Sequence, residues 1–168
     1  MKKKRNFLVP CLFIVYMVLL VWIILFKLQF SVSEIDKIRS INLIPFHYEN
    51  EIGMNFHLKE VLENAAIFIP FGIYLCMFKF EWSVKAKFII ILVISLLFEI
   101  TQYILAVGRT DVTDLITNTC GGMAGVALYW LAIKVFRNRK QVDLIITILA
   151  TVVTVVVSGL LTILLVLN

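Results

Sequence analysis

Apolar residues in this chain do not alternate with polar ones; they gather into long runs. Five stand out, at roughly 7–26, 61–78, 88–107, 112–133 and 144–167. A helix needs about 20 residues to cross a hydrocarbon core ~30 Å thick at about 1.5 Å per residue. Each run therefore predicts a membrane-spanning helix; the second is the shortest and carries Pro70. The first follows Lys2, Lys3, Lys4 and Arg5. Its apolar stretch exceeds the about 7–15 residues of a signal-peptide core and no small-x-small cleavage site follows, so it reads as an uncleaved signal anchor. Between the first two runs lies the long segment 27–60. There Ile35, Ile38 and Ile41 recur every three residues among Glu34, Asp36, Lys37 and Arg39. That spacing fits an amphipathic helix lying on the membrane, and the segment reads equally as an irregular loop.

Composition agrees with the pattern. The 168 residues are 61% hydrophobic and 16% charged, with a mean hydropathy of +0.99, whereas soluble domains carry about 25% charge. A soluble globular domain, a disordered chain and a nucleic-acid binder are all excluded, because the polar surface each requires is missing. The net charge of +5 has a topological explanation. Eleven of the 16 Lys and Arg lie at 2–5, 79–87 and 134–140, while Lys27, Lys37, Arg39, Lys59 and Arg109 fall between the other run ends. Short basic loops stay in the cytoplasm, which predicts N-in and C-out. Cys11, Cys76 and Cys120 each sit inside an apolar run, so no disulfide framework is expected. The expected fold is an all-α, polytopic integral membrane bundle of about five transmembrane helices. Its first partner is the lipid bilayer, its location the cell membrane, and nucleic acid is not a partner.

Candidate chemistry lies in polar groups that hydrocarbon should reject. Glu99 is the only charge in 88–107, and a carboxylate near the bilayer centre costs on the order of 2.5–3.5 kcal/mol. Gln102 follows three residues on, on the same helical face. After a turn at 108–109 come Arg109, Asp111 and Asp114. Asn118, Gly121, Gly122 and Gly125 then trace a stripe that lets helices approach closely. Counting outward from that turn sets Glu99, Gln102, Asp114 and Asn118 at matching depths, with Arg109 above them. Two prolines occur in matching tripeptides, Ile44-Pro45-Phe46 and Ile69-Pro70-Phe71, with Asn42 and Asn64 upstream. Pro70 would leave the Ala66 carbonyl without its usual donor. The cluster reads either as packing glue, with Asp111 capping the fourth helix and Glu99 paired to Arg109, or as a ligand-handling site. His47 and His57 lack metal-ligand spacing, and no phosphate loop, Ser-His-Asp or Cys-His arrangement is visible. No cofactor is expected.

Those residues carry a resemblance. Asn42-Leu43-Ile44-Pro45-Phe46, Asn64 with Ile69-Pro70-Phe71-Gly72, Glu99-x-x-Gln102, and Arg109-x-Asp111-x-x-Asp114-x-x-x-Asn118 with Gly121, Gly122 and Gly125 resemble the VanZ-like family in order and spacing. The resemblance implies one transmembrane domain over 1–168, with motifs at 42–125 and the fifth span, 144–167, outside them. Because the family's namesake is associated with teicoplanin resistance, it also implies an envelope role. The expected binding residues are Asn42, Asn64, Glu99, Gln102, Arg109, Asp111, Asp114 and Asn118. Arg109 is placed for an anionic head group, and a divalent cation bridging Asp111 and Asp114 to phosphate is a further option. The occupant would be a lipid-linked envelope precursor or a glycopeptide. Two other readings stay open: an enzyme acting on a lipid-linked precursor with Glu99 as general base, or a non-catalytic scaffold. The oligomeric state is not readable.

Overall fold

The computed structural model describes residues 2–26, 38–46 and 51–167, with side-chain detail for 7–25, 41–46, 58–107 and 110–163. Five helices follow from the five apolar runs: α1 (Lys2–Phe26), α2 (Glu51–Phe78), α3 (Val84–Leu105), α4 (Val112–Phe136) and α5 (Arg139–Leu167). All five are long and apolar enough to cross a membrane. In lipid, every backbone polar group must be satisfied internally, which is why continuous apolar runs become helices here. α1, α2, α3 and α5 begin before their apolar runs, since more polar residues continue the same helices at their amino ends.

Two short strands complete the architecture, β1 (Ile38–Asn42) and β2 (Val107–Asp111), paired in parallel with Ile38 opposite Val107 and Asn42 opposite Asp111. Ile38 and Ile41 thus belong to a strand, so the surface-helix reading fails there; Ile35 lies outside the described residues. The expected turn at 108–109 is likewise extended chain. Its cause is at Ala106, which ends α3 in the left-handed conformation (φ 55°) and points the chain back out of the helix.

The chain clusters into two units. One comprises residues 1–20 and 132–168. In it Leu12, Leu20, Val142 and Thr147 are buried, and Asn138 Oδ1 accepts the Lys140 N–H (3.0 Å) at the start of α5. Thr147 and Thr151 donate their hydroxyls to carbonyls four residues back, at 2.6 and 2.7 Å, so these hydroxyls need no external partner.

The other unit, residues 21–131, holds α2, α3, the ribbon and most of α4. α2 and α4 meet backbone to backbone. A Cβ at Gly121 would collide with the Ala65 carbonyl, and one at Gly125 with that of Ile69. Only hydrogen fits at either place, the small-residue contact by which helices associate in lipid. Around this seam Phe68, Phe71, Cys76, Ile91, Phe98, Val126 and Tyr129 are buried, with Phe68 edge-on to both Phe71 and Phe98. Ser83 caps α3 by accepting the Ala86 N–H. Below the cap, Lys87 is wholly buried, its ammonium donating to the carbonyls of Phe80 (3.0 Å) and Trp82 (2.6 Å). Charge counting treats Lys87 as a loop cation; it is instead a clasp on the α2–α3 turn.

Candidate functional site

The polar cluster forms where β2 hands the chain to α4. The strand runs back to the level of Glu99, whose Oε2 accepts the backbone N–H of Asp111 at 3.0 Å. Thr110 Oγ1 donates to the Glu99 carbonyl at 3.1 Å. Glu99 is 3% exposed, so this bond is made away from water, where a hydrogen bond is electrostatically stronger.

Asp111 is a junction. Its backbone reaches Glu99, its Oδ1 accepts the Thr113 N–H at 2.7 Å, and its Oδ2 accepts from Asn42 Nδ2 at 3.0 Å. The Oδ1 bond caps α4, where a carboxylate also suits the helix amino end. Asn42 in turn accepts the Ile44 N–H on its Oδ1 at 3.1 Å, and Thr113 Oγ1 accepts the Phe46 N–H at 3.1 Å. One turn into α4, Asp114 Oδ1 accepts from Asn64 of α2 at 2.8 Å. The two asparagines upstream of the Pro-Phe tripeptides therefore each donate to one aspartate.

Two expected members lie apart from this junction. Asn118 donates to Ser95 at 3.1 Å, and Gln102 donates to the Ile24 carbonyl at the end of α1 at 3.0 Å. Both are at least nine-tenths buried, yet among the described residues Asn118 Oδ1 and Gln102 Oε1 have no hydrogen-bond partner. These hydrogen bonds thus join Glu99, Gln102, Asp114 and Asn118 to other partners rather than to one another, while Asp114 stays within electrostatic reach of Glu99. Ser95, Thr110 and Thr113 escaped the sequence reading. Ser95 lies four residues before Glu99 on the same buried face, which is the signal that exposes it. The side chains of Arg109 and His57, and all of His47, lie outside the described residues. Among the described residues, no three His, Cys, Asp or Glu side chains gather as a metal site.

The carboxylates of Glu99, Asp111 and Asp114 all act as acceptors here: Asp111 is bonded through both of its oxygens, Glu99 to the Asp111 N–H and Asp114 to Asn64. The amide nitrogens of Asn42 and Asn64 are each engaged with an aspartate, and that of Asn118 with Ser95.

Fold and cluster together define a polytopic helical membrane protein whose α2–α3–α4 unit is closed at one end by a strand ribbon and buried carboxylates. A model of the VanZ/LLP1 family matches residues 13–137. The chain is also 44% identical to Protein VanZ of Enterococcus faecium over 133 residues, 78% of each protein. It belongs to the VanZ/LLP1 family. No solved structure matches it. The whole ribbon site falls inside the matched residues, and α5 falls beyond them.

Proposed function

We propose that this protein acts in the cell envelope, at the cell membrane, and raises tolerance to glycopeptides such as teicoplanin through the polar cluster at its ribbon end. The observation that carries this reading is the hydrogen-bonded chain Asn42–Asp111–Glu99 at the ribbon end, together with two buried amide oxygens in α3 and α4, those of Gln102 and Asn118, that have no partner among the described residues. Packing alone does not call for acceptors left open, because each costs about 1–3 kcal/mol when unsatisfied. Acceptors suit an occupant rich in hydroxyl, amide or ammonium donors. Glycopeptides and lipid-linked envelope precursors both offer these, and a bare anion does not. A phosphate bridged by a divalent cation through Asp111 and Asp114 gains no support, because both oxygens of Asp111 are engaged within the chain and no metal-holding group gathers among the described residues, and the reading assigns no metal.

The test is expression in a susceptible host. The wild-type chain is expected to raise the teicoplanin concentration needed to stop growth. Glu99→Gln keeps an acceptor for the Asp111 N–H and removes the carboxyl group, so it should reach the membrane at equal levels and give no tolerance. Unchanged susceptibility with wild-type protein confirmed in the membrane would sink the proposal.

A further inference from the structure

Beyond β1 the chain makes a short tip, residues 43–46, that is both apolar and outward-facing. Leu43 is 76% exposed, Ile44 58% and Phe46 48%, and Pro45 is exposed between them. No charged residue occurs from Ser40 to Phe46. An ordered apolar tip of this kind is costly in water and needs a partner.

Its backbone indicates which one. The Ile44 N–H is held by Asn42 Oδ1, the Phe46 N–H by Thr113 Oγ1, and Pro45 has none to satisfy. Two of the tip's three backbone N–H groups are thus bonded within the chain, which lowers the cost of setting this segment against lipid. The tip is also fastened at membrane level. Thr113, which holds Phe46, is the second residue of α4, and the membrane-crossing stretch of that helix begins at Val112. Phe46, bonded to Thr113, takes a left-handed conformation (φ 54°).

We propose that the 43–46 tip is a lipid-inserting element, seated in the interfacial layer of the bilayer with phospholipid glycerol and upper acyl groups as its partner. This goes beyond the proposed function and does not depend on it. Asn42 links the tip to Asp111, and Asp111 to Glu99, so the depth of the tip sets the depth of the polar cluster.

The experiment places a polarity-sensitive fluorophore on a cysteine at Leu43→Cys, and separately at Ile44→Cys. The background carries Cys11→Ser, Cys76→Ala and Cys120→Ser, and the protein sits in single-copy phosphatidylcholine/phosphatidylglycerol nanodiscs open on both faces. Glu81→Cys, in the exposed α2–α3 loop, serves as the aqueous control. Both tip probes should emit further to the blue than the control and bleach several-fold more slowly with aqueous dithionite. They should be quenched most strongly by a nitroxide near the glycerol end of the acyl chain. Emission and bleaching equal to the Glu81 control at both positions would overturn the proposal. So would shielding seen only in discs with two copies, which would assign the tip to a second chain.

Discussion

Asn42 spends both ends of one amide: its nitrogen donates to Asp111 and its oxygen accepts from Ile44. That orientation makes a charge-swap test possible. Asp111→Asn sets an amide donor against the Asn42 donor, while Asn42→Asp sets two carboxylates face to face. Each single change should lower stability by about 1–3 kcal/mol, the usual cost of a buried polar group left without its partner. The double change restores one donor and one acceptor and still leaves an oxygen for the Ile44 N–H. Thermal unfolding in detergent should therefore show substantial recovery in the double variant, and additive losses would rule out the Asn42–Asp111 bond as the clamp. The polar residues of this site were legible because hydrocarbon makes any buried amide or carboxylate conspicuous. Their partners were not. Depth counting assumed helical rise up to a tight turn at 108–109, but residues 107–111 are extended and lead back to Glu99 before α4 begins. Extended chain advances about 3.3 Å per residue against about 1.5 Å in a helix. Asn118 therefore meets Ser95, a turn away from Glu99, and Gln102 is left facing α1.

The helices were legible because lipid imposes one demand on every residue of a span. The ribbon was not, since Asn42 and Asp111 are 69 positions apart and a five-residue strand leaves only a faint pattern. Ile35, Ile38 and Ile41 even imitate helical spacing. A lone two-stranded pair is marginal by itself, and here Glu99, Thr113 and the Asn42–Asp111 bond hold it. At this scale the glycine stripe, read from the sequence as a close-approach surface, has a direct physical check. A methyl at Gly121 or Gly125 meets the α2 backbone, while one at Gly159 in α5 would meet nothing within 4 Å. Gly125→Ala must push α2 and α4 apart, and overpacking of this kind costs about 1–3 kcal/mol. Gly159→Ala meets open space and gains helix propensity, about 0.5–1 kcal/mol in the stabilising direction. Melting temperatures of the two variants in one detergent should move in opposite directions. Equal shifts would mean that the α2–α4 seam is not a backbone contact.

For the whole molecule the decisive quantity is which face of the membrane the ribbon end meets. The Asn42–Asp111 and Asn64–Asp114 bonds lie at the start of α4 and in the first half of α2, whereas Lys79, Lys85 and Lys87 cluster around the α2–α3 turn. Burial of Lys87 removes one cation from that loop's surface, yet Lys79 and Lys85 remain exposed and the bias toward a cytoplasmic turn survives. An outward ribbon is also what a site acting on glycopeptides needs, since these meet the cell from outside. Single cysteines at Lys59→Cys and Glu81→Cys, in the background free of native cysteines, report the two faces. Lys59 is well exposed, and its pairing with Glu63 at 3.6 Å is a surface contact of small worth, so its loss should not disturb folding. In intact cells a membrane-impermeant maleimide should label Lys59→Cys at once and Glu81→Cys only after permeabilisation. The reverse order would turn the carboxylates of Glu99, Asp111 and Asp114 toward the cytoplasm. A direct encounter with an external glycopeptide would then be impossible, leaving an inner-leaflet envelope precursor as the occupant to test.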